Sequence, residues 1–174
     1  LQAIRSGVFM IPESRKDQGL VLGGTIRDNL LLASLSTLSR FGVTSNSKFG
    51  KVAARLSVAI DLRFGNLKDP VSSLSGGNQQ KILFGRVLEL QPSVLIVDEP
   101  TRGVDIAAKR AIHVLLDELA AAGTAILFIS SEIEEVLGVC HRTIVIHKGQ
   151  THGEFVPPYN KTEVISAFFG QGGN

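Results

Sequence analysis

The sequence predicts an α/β fold, with a mostly parallel sheet and an inserted helical subdomain. From Ser72 onward, strand-like apolar runs alternate with helical patterns, and this alternation is typical of a parallel sheet. Before Ser72, two amphipathic helical patterns follow one another with no strand between them. The chain also has a glycine-rich loop where one helix begins and two carboxylates where one strand ends. These two features indicate a ligand site.

The composition excludes several classes of protein. The 174 residues suffice for about one domain, with 44% hydrophobic residues, 20% charged residues and a net charge of +2. This balance gives no electrostatic argument for a nucleic-acid partner. The longest apolar runs, such as Ala125–Ile129, are far shorter than the ~20 residues of a membrane span. The single cysteine, Cys140, agrees with a reducing compartment, and we expect a cytoplasmic chain.

The first part of the chain is predicted to hold one strand and two helices. The apolar run Val8–Ile11 is typical of a buried strand, and residues 12–19 are a polar connection. Thr25 is a suitable N-cap for a helix over residues 25–35. A second helix is predicted over residues 48–62, because its apolar residues recur at positions i, i+3, i+4 and i+7.

The rest of the chain is predicted to alternate between helices and strands. In order, we expect a helix over residues 77–90, a strand over 94–97, a helix from Asp105 that Gly123 stops, a strand over Ala125–Ile129, a short helix over 133–137, strands Thr143–His147 and Gln150–Phe155 joined by a Lys148-Gly149 hairpin turn, and a helix over 161–169. Four segments result: the start of the α/β core at 1–24, a helical subdomain at 25–71, the main α/β core at 72–156, and a C-terminal helix and tail at 157–174.

The glycine-rich loop Ser75-Gly76-Gly77 suits an anion. Without side chains on the glycines, backbone N–H groups can approach a phosphate, and the positive end of the following helix dipole points at the same place. The alternative is an ordinary glycine turn before an amphipathic helix. The residues of the loop alone would favour that alternative, so the prediction depends on the motifs that accompany the loop.

The carboxylates Asp98 and Glu99 lie at the carboxyl end of a predicted strand, where open α/β sheets bind ligands. One carboxylate of such a pair can hold Mg²⁺, usually through water, while the other orients or deprotonates a water that attacks a phosphoryl group. Here Asp98 is the predicted metal ligand and Glu99 the predicted base. The alternative is a strand that ends in solvated acids.

Taken together, these motifs resemble those of ABC-type ATPases, which are P-loop NTPases. Leu-Ser-Gly-Gly-Asn-Gln at residues 74–79 resembles the ABC signature motif, and Asp-Glu-Pro-Thr at 98–101 resembles the end of Walker B. Asp105 falls where the family has the acidic residue of its D-loop. The resemblance implies ATP and Mg²⁺ as cofactors, with Asn78, Gln79 and Asp105 joining Ser75, Gly76 and Gly77 in nucleotide binding.

A narrower resemblance is to the second cassette of double-cassette proteins that power sugar importers of the ribose, xylose and galactose type. Its residues include Pro-Glu-Ser-Arg-Lys at 12–16, where Ser14 replaces an Asp, and Ser-Ser-Glu at 130–132. Ser131 occupies the position of the family's switch histidine and is a weaker candidate catalytic residue. The resemblance implies an ATPase subunit on the inner face of the cell membrane. Its partners would be another cassette and transmembrane permease subunits.

One motif of the family does not occur in the 174 residues. No segment has the Gly-x-x-x-x-Gly-Lys-Ser/Thr pattern of the Walker A loop, which the family places before the strand predicted at Val8–Ile11. We therefore expect a partial cassette that does not hydrolyse ATP by itself. Since the family's cassettes pair head to tail, the signature loop would complete a site built mostly by another cassette. The carboxylates would serve a second site.

Two other classes of protein remain open from the sequence. One is a non-transport ABC ATPase, such as a translation factor, and the other is a cassette remnant that binds partners without hydrolysing ATP. Lys81 and Arg86 on the signature helix could face phosphate, but a solvated face is the favoured interpretation for both. The helices over 25–35 and 48–62 are interpreted as core, and the alternative is that Phe41 or Phe49 is exposed as a contact for the permease.

Overall fold

The computed structural model describes residues 2–35 and 46–170, and the chain divides into two compact units, residues 1–129 and 130–174. In chain order the first unit contains helix α1 (Gln2–Arg5), strand β1 (Val8–Ile11), a π-helical turn (Arg15–Gly19), helix α2 (Ile26–Leu31), a 3-10 turn (Leu32–Ser34), helix α3 (Asn46–Ala59), a 3-10 turn (Val71–Ser73), helix α4 (Gly76–Leu90), strand β2 (Val94–Asp98), helix α5 (Ile106–Ala121) and strand β3 (Ala125–Ile129). The predicted α/β class is confirmed. The four-segment division of the sequence stays a prediction.

Helix ends in this unit follow from local chemistry. Thr25 Oγ1 accepts a hydrogen bond from Asp28 N at 3.0 Å and caps α2, as predicted. Asp105 Oδ1 accepts from Ala108 N at 2.8 Å and caps α5. Beyond the far end of α5, Gly123 has a φ of 98°, which glycine adopts without steric cost.

The sheet of the first unit is parallel, with the strand order β1-β2-β3. Strand β2 is therefore central, and its carboxyl end lies between the two neighbouring strands. Side chains alternate between the two faces of each strand. One face contributes Ile11, Leu95 and Val97 to the core, where α4 and α5 pack. The opposite face is open: Leu127 is 54% exposed and Met10 47% exposed.

Helices α2 and α3 pack closely on α4 at Gly85. A Cβ atom on Gly85 would lie 2.7 Å from Leu30 Cδ2 and 3.2 Å from Ile60 Cδ1, closer than packed carbon atoms normally come. Glycine is therefore required for this approach. Phe49 is buried in the same core, as the apolar pattern of its helix predicts, so it is not the exposed permease contact that was the alternative. Phe41 lies outside the described residues.

Arg86 joins α4 to two other segments from inside the core. Its Nε and Nη2 donate to Asn29 O and Oδ1 at 2.7 and 3.1 Å, and its Nη1 donates to Gly19 O at 2.6 Å. Asn29 is itself bonded to Val21 through both its amide oxygen and its amide nitrogen, each at 2.9 Å. Burial lowers the pKa of Arg86 to about 10. Because this value is still well above 7, the side chain remains charged at neutral pH. The predicted solvated position of Arg86 is therefore wrong.

Lys81 is also buried, against the sequence prediction, and it ties α4 to the loop after α3. Its Nζ donates to Asp61 O at 2.6 Å and lies 3.3 Å from Asp61 Oδ2. In the same loop, Arg63 N donates to Asn78 Oδ1 at 3.1 Å. The first turns of α4 are thus fastened to the loop that follows α3.

The second unit is small, and it contains helix α6 (Ile133–Val139), strands β4 (Thr143–His147) and β5 (Gln150–Phe155), and helix α7 (Lys161–Phe168). The strands form the predicted antiparallel hairpin. Lys148 and Gly149 have φ values of 48° and 77°, as a tight hairpin turn of this kind requires. Among the described helices of the whole chain, none is long and apolar enough to cross a membrane.

The two faces of the sheet should respond differently to truncation. Leu95→Ala removes a fully buried side chain and should lower the free energy of unfolding by about 2–5 kcal/mol. Leu127→Ala, on the exposed face, should cost about 1 kcal/mol or less. Urea unfolding of the chain followed by circular dichroism measures both, and equal losses would show that the exposed face is packed in solution.

The Arg86 contacts predict a large loss of stability for Arg86→Met. Methionine fills much of the volume but removes the donor to Asn29 O and Gly19 O, and each buried acceptor left unsatisfied costs about 1–3 kcal/mol. Asn29 Oδ1 also loses this donor but keeps its bond from Val21 N. We expect a decrease of about 3 kcal/mol or more in the free energy of unfolding. Arg110→Met, at an exposed position of α5, is the matched control and should change it by about 0.5 kcal/mol or less. A similar effect of both variants would contradict the structural role of Arg86.

Candidate functional site

The glycine-rich loop lies where α4 begins. Ser75 is the N-cap residue, with an extended backbone, and its Oγ accepts from Asn78 N at 3.5 Å and from Asn78 Nδ2 at 3.0 Å. The N–H groups of Gly76 and Gly77 belong to the first turn, where no carbonyl of the same helix can accept them. The loop therefore presents backbone donors at the positive end of a 15-residue helix.

Close packing on both sides explains the two glycines. A Cβ atom on Gly77 would lie 2.8 Å from Ala108 Cβ, in the first turn of α5. A Cβ atom on Gly76 would lie 2.7 Å from Arg15 Nη2 and 3.4 Å from Gly103 O. The loop is thus held between α5 and the Arg15 guanidinium, so the structural and the phosphate-binding interpretations of these glycines are compatible.

An open polar depression of about 290 Å³ lies in front of the loop. It is lined by Asp61, Arg63, Ser75, Gly77, Asn78, Lys81, Asp105, Ala107, Ala108 and Ala111. Four of the predicted nucleotide-binding residues, at positions 75, 77, 78 and 105, therefore meet at one surface. The lining contains both acidic and basic side chains.

Gln79 has a different position from the one the resemblance implies. Its side chain is buried, and its Nε2 donates to Leu74 O at 3.1 Å, behind the loop. Gln79 does not line the depression. In this structure the Gln79 amide supports the backbone that leads into the loop.

Asp98 and Glu99 lie at the carboxyl end of the central strand. Asp98 is the last residue of β2, and Glu99 N donates to Ile129 O at 2.9 Å, which continues the pairing with β3 by one bond. Glu99 has a φ of 46°, an uncommon conformation for a residue other than glycine. Such strain often occurs at functional residues. The turn beyond Glu99 is closed by a 3.1 Å bond from Arg102 N to Glu99 O.

The turn after the carboxylates is fastened to the polar connection after β1. Arg102 forms an ion pair with Glu13, and Arg15 Nη1 donates to Arg102 O at 3.1 Å. Ser14 Oγ accepts from Asp17 N at 3.3 Å and caps the π-helical turn. Because aspartate and serine cap helices similarly, serine can replace the aspartate of the resembled motif here.

The remaining candidates are Ser131 and Cys140, which are in the second unit, and the metal site predicted at Asp98. Ser131 is exposed at the start of the second unit, and its role beside a nucleotide stays a prediction. Burial and the Glu135 charge raise the pKa of Cys140, which disfavours the nucleophilic thiolate. Within residues 2–35 and 46–170, no three His, Cys, Asp or Glu residues are grouped to hold a metal ion. The role of Asp98 as a metal ligand stays a prediction.

The structure adds contacts that sequence patterns did not reveal. Arg15 lies against Gly76 and Ala108 against Gly77, while Lys81, a candidate phosphate contact from the sequence, is among the residues that line the depression. The adjacent glycines were a signal for close neighbours, but nothing in the sequence identified which residues those neighbours are. In the sequence, Arg15 was distinguished only by its place in the Pro-Glu-Ser-Arg-Lys motif.

Comparison with known proteins identifies the family of the chain. The family model described as "ABC transporter" matches residues 2–102, which include the glycine-rich loop and the carboxylate pair. A ribose import ATP-binding protein of Rubrobacter xylanophilus is 46% identical over 88% of this chain and 30% of its own length. A ribose import ATP-binding protein of Corynebacterium glutamicum is 46% identical over 88% of this chain and 29% of its own length. The chain thus spans less than a third of these relatives.

Solved structures show the same fold at low sequence identity. An inward-facing ABC transporter of the metal-chelate type superposes with a TM-score of 0.76 at 21% identity, covering 94% of this chain and 63% of that one. A dimeric ATP-binding cassette bound to ADP and Pi superposes with a TM-score of 0.72 at 21% identity, covering 88% of this chain and 65% of that one. These matches establish the fold.

The contact of Gly77 with α5 predicts that Gly77→Ala is destabilising. Its new methyl group would collide with Ala108 Cβ, and overpacking of this kind costs about 1–3 kcal/mol. Gly76→Ala should cost about 1 kcal/mol or less, because the nearest atom is the movable end of Arg15. Urea unfolding measures both changes.

A double variant tests whether contact with Ala108 causes the loss of stability in Gly77→Ala. In a chain that carries Ala108→Gly, the colliding methyl group is absent, so adding Gly77→Ala should cost much less than it does in the unmodified chain. An unchanged cost would place the strain somewhere other than the contact between Gly77 and Ala108.

Proposed function

The chain belongs to the ABC transporter family, and on this premise we propose that it is the ATPase-cassette segment of an importer that couples ATP hydrolysis to carbohydrate uptake. The observation that carries the proposal is the start of α4, where Ser75, Gly77 and Asn78 line a polar depression together with Asp105. Similarity to ribose import ATP-binding proteins supports a carbohydrate as the cargo.

In this proposal the loop covers an ATP molecule whose phosphates are bound mainly by the Walker A loop of another cassette. The loop is the lid of that site, and the Walker A loop is its floor. A depression that is partly open to solvent suits one half of an interface better than a complete nucleotide pocket. The backbone donors and the helix dipole at Ser75–Gly77 would stabilise the terminal phosphate. Asn78 and Asp105 would border the phosphate, while Gln79 would support the loop from behind.

Asp98 and Glu99 would act at a second site, on the other side of the cassette pair. A carboxylate oxygen of Asp98 fits Mg²⁺, and phosphate and water oxygens would supply the other ligands. Bound Mg²⁺ would neutralise charge on the phosphates. Glu99 would orient the attacking water and accept its proton, with the strained backbone and the Ile129 bond holding it at the strand end.

The proposed partners are another cassette and the permease subunits of the importer. The helical region around α2 and α3 is proposed as the permease contact, which would place the protein on the inner face of the cell membrane. Ser131 is proposed as the residue near the phosphate in place of a histidine. Since the 174 residues contain no Walker A pattern, hydrolysis is proposed for the full-length protein.

Substitution of Ser75 separates phosphate binding from helix capping. Aspartate caps a helix N-terminus well, so Ser75→Asp should fold normally while placing a negative charge where the phosphate would bind. Ser75→Asn is the neutral capping control. In the full-length protein assembled with its permease, we expect ATP turnover and sugar uptake of the Asp variant to be about tenfold or more below those of the Asn variant. Equal activities, with equal thermal unfolding, would refute phosphate binding at this loop.

A further inference from the structure

The segment Glu13-Ser14-Arg15 has no role in the function proposed so far, although it belongs to the motif that distinguishes this chain. Arg15 makes two contacts with parts of the molecule that lie far away in sequence. Its Nη1 donates to Arg102 O at 3.1 Å, in the turn beyond Asp98 and Glu99. Its Nη2 lies against Gly76, only 2.7 Å from where a Cβ atom would be. One guanidinium thus bridges the carboxylate turn and the glycine-rich loop.

Other contacts hold Arg15 in this place. Glu13 forms an ion pair with the Arg102 side chain, so the same turn is bound from two sides. At the far end of the π-helical turn, Gly19 O accepts from Arg86 Nη1 at 2.6 Å. Gly19 also packs against α4, since a Cβ atom there would lie 3.0 Å from Leu83 Cδ1. The backbone of the turn is therefore anchored at both ends, which fixes the point from which the Arg15 side chain extends.

The Arg15 side chain keeps this position although one of its donors is unsatisfied. Within the part of the chain that the structure describes, its Nε is buried and has no hydrogen-bond acceptor. A buried donor without an acceptor is destabilising and calls for an explanation. The hydrogen bond of Nη1 to Arg102 O and the packing of Nη2 on Gly76 supply one, because they place the guanidinium between the two loops. A lysine has a single ammonium group and cannot occupy both places at once.

We propose that Arg15 is a positioning residue that sets the glycine-rich loop relative to the turn after Asp98 and Glu99. The inference rests on the proposed function, in which these two loops serve different ATP sites of one cassette pair. Arg15 would then make the geometry of the lid at one site depend on the geometry of the carboxylates at the other. It would not touch the nucleotide. Its effect would appear in turnover more than in affinity, because most ATP contacts belong to the floor of each site.

The test compares Arg15→Ala and Arg15→Lys in the full-length protein assembled with its permease, with Lys16→Ala as the control at an exposed neighbouring cation. For Arg15→Ala we expect kcat for ATP hydrolysis to fall about tenfold or more, with KM for ATP changed by about threefold or less. Arg15→Lys should recover part of kcat, because it keeps a donor for Arg102 O. Lys16→Ala should match the unmodified protein. An unchanged kcat for Arg15→Ala, or a loss carried mainly by KM, would overturn the proposal.

Hydrogen exchange of the full-length protein without nucleotide gives a readout that does not depend on ATPase activity. Arg15→Ala should raise amide exchange at residues 76–79 and 102–105, and Lys16→Ala should not. Faster exchange throughout residues 46–129 would mean general destabilisation and would overturn a positioning role. If the unmodified protein neither hydrolyses ATP nor takes up sugar, the proposed function fails. The exchange pattern still decides whether Arg15 joins the two loops.

Discussion

The position of helix α4 depends on one buried cation. Arg86 donates to oxygens of Gly19 and Asn29, and through them it holds α4 against the π-helical turn and against α2. Burying a guanidinium without a carboxylate is costly unless its N–H groups find acceptors, and here backbone and amide oxygens accept them. Because the glycine-rich loop is the first turn of the same helix, any shift at Arg86 would move the loop as well.

Three glycines of α4 lie where neighbouring side chains approach the helix closely. Gly76 meets Arg15, Gly77 meets Ala108, and Gly85 meets Leu30 and Ile60. The first two lie in the proposed phosphate loop and the third in the core, and the packing constraint is strict at Gly77 and Gly85, whereas at Gly76 the neighbour is the end of a flexible side chain. A glycine in a functional motif can therefore be required twice, once for the ligand and once for the scaffold. Loss of activity in a glycine variant does not by itself distinguish these requirements. Comparing Ser75→Asp with Ser75→Asn isolates the requirement of the ligand, and Gly77→Ala in the Ala108→Gly chain isolates the requirement of the scaffold.

Two surfaces of the first unit are less covered than the rest. The outer face of the sheet exposes Met10 and Leu127, and the depression at the loop is polar and partly open. Parallel sheets are usually covered on both faces, and nucleotide sites usually enclose their ligand. Under the proposed function, another cassette would cover the depression. The chain spans about 30% of the ribose import relatives it matches, so further polypeptide is available in proteins of that kind.

The sequence by itself determined the strands, the caps and the hairpin turn, because these depend on neighbouring residues. Thr25 and Asp105 cap their helices, and Lys148-Gly149 turns the hairpin, through contacts within a few positions. The resemblance of short motifs likewise identified the family. Only the tertiary structure decided which polar residues of α4 are buried, because Arg86 and Lys81 depend on acceptors at Gly19, Asn29 and Asp61, far away in sequence. Gln79 and Arg15 show the same limit, since the local pattern does not reveal whether such a side chain faces a ligand or supports the loop from behind.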